Sequence, residues 1–267
     1  MAVADNRRVL NEEKYMRLKN QVAIITGAGA GIGKAVALRY AAEGARVVVA
    51  EINPDTGSAT AEEILAAQGQ AIFVRTDVAE EEEVRALVEV TLHRYGRIDI
   101  LFNNAAIQIY GRDTRLHELS TEVWERTLAV NLRGSWLCAK YVIPSMLRQG
   151  GGCIINMASL TGLRGVENLT AYSTSKGGIA ALTRAMAADY SRNHIRVNAI
   201  VPGCIETPMN AVRLTDEKWR QKRIAITPCG RLGTGDDVAG LAVFLASDDA
   251  AYCVGGFYMA DGGSMAI

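Results

Sequence analysis

Tyr172 and Lys176 stand four residues apart in the run Tyr172-Ser173-Thr174-Ser175-Lys176. On a helix this spacing places both side chains on one face, one turn apart. A phenol normally keeps its proton far above neutral pH, and a nearby ammonium lowers that pKa by favouring the phenolate. The pair is therefore equipped for acid/base chemistry near neutral pH. The competing reading is an ordinary pair on a helix surface, so the chemistry depends on what else the chain brings to these residues.

Four other stretches carry chemistry. Gly27-Ala28-Gly29-Ala30-Gly31-Ile32-Gly33 follows the apolar, β-rich run Val22-Ala23-Ile24-Ile25-Thr26 and precedes a helical pattern. Glycines between a strand and a helix permit a tight turn and let a pyrophosphate reach the free N–H groups of the helix N-terminus. The alternative is a plain tight turn. Glu51 closes the next apolar run, 18 residues beyond Gly33. An acid there can accept from ribose hydroxyls and repel a 2′-phosphate, which points to NAD rather than NADP; otherwise it is an exposed glutamate. Asn103-Asn104-Ala105-Ala106 follows Ile98–Phe102, where open α/β sheets bind ligands. Asn131 interrupts an apolar helix face, which is equally compatible with a satisfied structural amide.

The elements that must position these residues alternate along the chain. Strand patterns at 22–26, 46–50, 71–75, 98–102, 152–157, 195–201 and 257–259 are separated by helical patterns at 34–43, 55–68, 80–95, 121–149, the Tyr172 helix and 236–246. The alternation predicts a doubly wound α/β fold, a seven-stranded parallel sheet with helices on both faces. Asp77 reads as the N-cap of the third helix. Residues 209–227 are mixed and charged, as a lid would be. We divide the chain into a polar arm, 1–17, and one domain, 18–267.

Composition narrows the function classes. Lys plus Arg and Asp plus Glu are 29 each, so no global field favours nucleic acid. The five cysteines, at 138, 153, 204, 229 and 253, form no CxxC pair and have no His at metal spacing. They imply free thiols in a reducing cytoplasm and no metal site. No apolar run is long enough for a membrane span, and the charged first twenty residues lack the apolar core of a secretory signal.

Taken together, Thr26-Gly27-x-x-x-Gly31-Ile32-Gly33, Asp77-Val78, Asn103-Asn104-Ala105, Asn131, Ser159, Tyr172-x-x-x-Lys176 and Pro202-Gly203 with Thr207 resemble the short-chain dehydrogenase/reductase family over about residues 18–264. Ala106 stands where the family often has Gly. The resemblance implies a Rossmann fold and an NAD(P)-dependent oxidoreductase. It assigns Tyr172 as general acid/base, and gives Lys176 the nicotinamide ribose and the lowering of the phenol pKa. Ser159 would hold the substrate oxygen, and Asn131 a proton-relay water. Gly27, Gly31, Ile32 and Gly33 would meet the pyrophosphate, Glu51 the adenosine ribose, and Asp77 with Val78 the adenine. Asn104 and Ala105 would line the cofactor ribose region, and Ile205 and Thr207 would meet the nicotinamide amide. It also implies a homotetramer built through the 121–149 helix, the Tyr172 helix and the last strand.

The substrate the resemblance implies is a small-molecule alcohol or ketone. Ile107, Gln108, Leu160, Leu163, Glu167, Asn168, Cys204 and Met209, with Ser159, are the candidate substrate residues. Glu167 and Asn168, just before the Tyr172 helix, lean toward a polyol or sugar, against helix capping or solvent exposure. Arg112 and Arg164 are candidates for a carboxylate. Two alternatives stay open: a 3-oxoacyl-thioester reductase, which more often uses NADPH and so fits Glu51 less well, and a non-catalytic dinucleotide sensor.

Overall fold

In the computed structural model, residues 16–266 are described; residues 1–15 of the expected arm and Ile267 lie outside them. Seven strands form one sheet: β1 Val22–Thr26, β2 Arg46–Glu51, β3 Gln70–Arg75, β4 Ile100–Asn103, β5 Gly152–Met157, β6 Ile195–Pro202 and β7 Phe257–Ala260. Their order is β3-β2-β1-β4-β5-β6-β7, every neighbouring pair parallel. The chain winds outward from β1 to β3, crosses back beside β1 as β4, and winds the other way. The carboxyl ends of β1 and β4 thus form the switch point where open α/β sheets take ligands.

The strand sequences read as continuous apolar runs because both faces are covered. Alternate residues serve opposite layers. Ala23, Ile25, Val47, Val49, Ile100 and Phe102 face one core with α1 (Gly31–Ala42), α2 (Pro54–Ala66) and α9 (Gly235–Ala246). Ile24, Val48, Leu101 and Ile154 face the other, with α3 (Glu81–Tyr95), α5 (Gly134–Gln149) and α6 (Thr170–Tyr190). The two-residue period of a strand makes this division automatic.

One local reading is corrected and two segments gain detail. The 121–149 segment is helical throughout, as expected, but α4 (Thr121–Leu128) meets α5 through a π-helical turn at Ala129–Arg133, and Asn131 lies in that turn. The wider turn swings one polar residue out of an otherwise apolar register. Asp77 does not cap α3. Glu80 is the N-cap residue, with no side-chain cap bond, while Asp77 accepts from Ala79 N at 2.9 Å. A further segment, 208–225, is a 3-10 turn at Pro208–Asn210 followed by two short helices, α7 (Ala211–Leu214) and α8 (Glu217–Ala225).

Candidate active site

The Gly-rich turn leaves β1 and enters α1 with Gly27 at φ +63° and Gly31 at φ +55°, both left-handed. Gly33 answers a different need. A Cβ there would lie 2.1 Å from Gly27 O and 2.6 Å from Asn104 Nδ2. Asn104 clamps the turn from the end of β4, its Nδ2 donating to Thr26 O and Gly27 O at 3.0 Å each. The N-cap position of α1 is Ala30, which supplies no side-chain acceptor, and the first turn contains no acid. The leading N–H groups of α1 are therefore left for an anion.

Glu51 ends β2 beside this turn. Its carboxylate accepts from Gly29 N at 3.0 Å and Asn53 N at 3.1 Å, which fixes it at the rim. An open cleft runs from Glu51, Asp77 and Val78 past Gly27, Gly31 and Ile32 to Asn104, Ala105, Tyr172, Lys176 and Thr207. A dinucleotide fits this donor set: a side-chain-free turn, an open helix N-terminus and an acid one strand away. Among the described residues, no three His, Cys, Asp or Glu side chains gather as metal ligands.

Tyr172 and Lys176 lie in the first two turns of α6. Lys176 is buried, and its Nζ donates to Met157 O at 2.8 Å, across to the end of β5. Burial without a carboxylate partner brings its pKa down from 10.5 to about 8. Its ammonium lies 5.7 Å from the centroid of the Tyr172 ring. The Tyr172 phenol is nevertheless pushed up to about 12, first by burial and then by the neighbouring Tyr110, with the Ser159 hydroxyl pulling it down. Lys176 is not among the groups that set this balance, so the expected depression of the phenol is absent from the protein alone.

Ser159 starts the turn after β5, and its Oγ accepts from Thr161 N at 3.3 Å and Thr161 Oγ1 at 3.1 Å. Asn131 is buried and well bonded: Oδ1 accepts from Ile107 N at 2.8 Å, and Nδ2 donates to Ile107 O and Ser175 Oγ. It ties the loop after β4 to α6.

The structure separates the candidate substrate residues. Ile107 and Met209 line the cleft. Gln108 is half-buried in the loop after β4 but is not part of the cleft wall. Leu160 belongs to a small core cluster with Ala158 and Ile179. Leu163 is partly exposed. Glu167 and Asn168 are exposed, and neither caps α6, so the lean toward a polyol loses its support. Cys204 lines a second cavity with Cys229, Thr227 and Asp261. Ile205 is packed in the main core and Thr207 alone of the pair faces the cleft. Arg112 pairs with Glu122 at 2.8 Å on the surface, and Arg164 donates to Ser264 O at 3.1 Å.

Sequence reading missed three positions. Asp113 is buried, and its two oxygens accept from Ala171 N at 3.0 Å and Tyr172 N at 2.9 Å. It caps the helix that carries the Tyr–Lys pair from 59 residues away, so no local pattern announces it. Tyr110 donates to Asn210 Oδ1 at 2.7 Å, linking the loop after β4 to the 208–225 segment. Arg126 holds Asp77 Oδ2 at 3.2 Å at the Glu51 end of the cleft.

A family model described as enoyl-(acyl carrier protein) reductase matches residues 27–265. An uncharacterized oxidoreductase of Bacillus subtilis, YxbG, is 45% identical over 256 residues, covering 94% of this chain and 93% of its own. Cyclohexanol dehydrogenase of an Acinetobacter species is 40% identical over 94% of this chain and 98% of its own. A solved structure from Beutenbergia cavernae, provisionally assigned as an NAD(P)-dependent gluconate 5-dehydrogenase and holding NADP at low occupancy, superimposes with a TM-score of 0.89. It shares 36% identity and covers 95% of this chain and 100% of its own.

Proposed function

The chain belongs to the short-chain dehydrogenase/reductase family, and from that premise we propose that it transfers a hydride between NAD(H) and a secondary alcohol or its ketone, with Tyr172 as general acid/base. The observation that carries this is that one cleft is lined by Tyr172 and Lys176 together with the Gly-rich turn and Glu51, and that the Ser159 hydroxyl meets the Tyr172 phenol. A bound nicotinamide would supply the hydride chemistry. Gly27, Gly31, Ile32 and Gly33 would hold its pyrophosphate, Glu51 the adenosine ribose, Asp77 and Val78 the adenine, and Asn104, Ala105, Tyr172 and Lys176 the other ribose. Ile205, through its backbone, and Thr207 would hold the carboxamide.

Within this scheme the protein's own groups manage one oxygen and one proton. Tyr172 gives its phenolic proton to the ketone oxygen in reduction and takes it back in oxidation. Ser159 donates to the same oxygen, so that alkoxide-like charge is met by two hydroxyls in a water-poor site. Lys176, whose ammonium lies 5.7 Å from the centroid of the Tyr172 ring, would bring the phenol down from about 12 toward the working range while also holding the cofactor ribose. Asn131 would hold the relay water through the second lone pair of an amide oxygen already bonded to Ile107 N.

Glu51 supports NAD over NADP: its fixed carboxylate would face a 2′-phosphate with like charge. The exposed apolar surface formed by Trp124, Leu128, Leu132, Trp136 and Leu182 supports a homotetramer assembled through α4, α5 and α6. The five free thiols fit a cytoplasmic enzyme.

The test is Tyr172→Phe, assayed on a panel of secondary alcohols with NAD⁺ and NADP⁺ for the appearance of reduced nicotinamide. We expect turnover to fall by about a hundredfold or more while dinucleotide binding persists. Near wild-type turnover would sink the assignment.

A further inference from the structure

The stretch formed by α7 and α8 is strongly basic. Arg213 in α7 and Lys218, Arg220, Lys222 and Arg223 in α8 stand against only Asp216 and Glu217. Arg220 has a partner, Glu206 at 3.1 Å. Arg213 and Arg223 differ: both are half-buried, and among the described residues neither forms an ion pair within 4.0 Å.

The two cations converge. The Arg213 guanidinium carbon lies 4.2 Å from the centroid of the Tyr110 ring and 5.8 Å from that of Trp219. The Arg223 carbon lies 5.1 Å from the same Trp219 ring. Their charges both reach the Tyr110 phenol and the Cys204 thiol, in each case opposing the rise that burial imposes. Tyr110 is near enough to be felt by the Tyr172 phenol and is hydrogen-bonded to Asn210 at the start of the segment. Arg213 thus stands one aromatic ring away from the acid/base, behind Tyr110, with Arg223 beside Trp219, and neither arginine is part of the cleft wall itself.

Aromatic faces attract each guanidinium but do not neutralise it. Two like charges held about one indole, partly out of water, repel each other until an anion lies between them. Guanidinium forks are suited to oxyanions, which they bind through paired hydrogen bonds. We propose that Arg213 and Arg223 bind an oxyanion group of the substrate, so that the alcohol or ketone handled at Tyr172 carries a carboxylate, phosphate or sulfonate at its far end. This rests on the dehydrogenase function proposed above and specifies its substrate class.

The test compares 3-hydroxybutyrate with its methyl ester, which differ chiefly in charge, and adds 2-hydroxypropyl phosphate and 2-hydroxypropanesulfonate to distinguish the anions. The expected result is that at least one anionic alcohol exceeds the ester in kcat/KM. In Arg213→Met and Arg223→Met that preference should fall by about tenfold or more, mainly through KM. Arg220→Met, which removes the same charge from the same helix, should leave the preference unchanged. Independently of turnover, titrating acetate, inorganic phosphate and methanesulfonate should change Trp219 fluorescence saturably in the wild type and not in the Arg213→Met/Arg223→Met double variant. Equal use of ester and anions with Tyr172 still required would overturn the anion site and leave the dehydrogenase function standing. Anion binding at Trp219 without oxidation of any alcohol would do the reverse. No saturable fluorescence response to any anion, or an equal one in the double variant, would also overturn the anion site.

Discussion

Lys176→Met should make the cofactor-free protein more stable at neutral pH while abolishing its activity. Lys176 is 4% exposed and donates one hydrogen bond, to Met157 O. The fall in its pKa from 10.5 to about 8 comes from burial. At about pH 7 the side chain is charged in both the folded and unfolded chain, and holding that charge in the fold then costs about 3 kcal/mol. Methionine has a similar length and no charge. It forfeits the bond to Met157 O, which returns about 1 kcal/mol. The net gain is about 2 kcal/mol, or roughly 4–8 °C in Tm for a chain of this size. The pH dependence gives the sign. Because the folded pKa lies below the unfolded one, the unfolded chain binds more protons between about pH 8 and 10.5, and wild-type stability rises across that window. The advantage of the variant should therefore be largest near pH 7, shrink above pH 8, and vanish or reverse near pH 10.5. Urea unfolding of both proteins across this range, without dinucleotide, measures it. A wild type that is the more stable at pH 7, or a difference independent of pH, would refute the reasoning.

Asp113→Ala should destabilise the protein by about 2–4 kcal/mol, since it leaves two buried N–H groups at the start of α6 without an acceptor. Because one of those N–H groups belongs to Tyr172, kcat should fall more than KM rises, and Asp113→Asn should restore part of both; unchanged kcat in a folded Asp113→Ala would argue against a positioning role. Glu51→Ser should move the ratio of kcat/KM for NAD⁺ over NADP⁺ toward NADP⁺ by about tenfold or more, and an unmoved ratio would remove Glu51 from cofactor selection. Gly33→Ala places a methyl group against Gly27 O and Asn104 Nδ2, so calorimetric titration should show dinucleotide affinity lost along with about 1–3 kcal/mol of stability; full affinity would mean that the turn tolerates the displacement.

The stability cost at Lys176 and its usefulness in the site share one origin. A charge that the fold holds unpaired is available to act on a neighbour, here a phenol that burial has made too weak an acid. Sites of this kind are where local sequence preference and global stability part company.

Much of this protein was legible without coordinates because its signals are local. Apolar runs of four to eight residues between glycines and helical patterns determine a parallel sheet, and all seven strands appear where the alternation places them, to within two residues at either end. The Gly-rich turn, Glu51, the Asn-Asn pair and Tyr172-x-x-x-Lys176 are read from neighbours in the chain, and the cleft brings them together. What tertiary structure alone decided is long-range. Asp113 caps α6 and Asn131 braces the loop after β4 only because the sheet order folds those segments onto one another. Glu167 and Asn168 lie beside the site in sequence yet face solvent, whereas Arg213 lies far from Tyr110 in sequence yet stands over its ring. The pKa values followed the same division. Spacing put an ammonium beside a phenol, but only burial, a property of the whole packed molecule, determined that the phenol would rise and the ammonium fall.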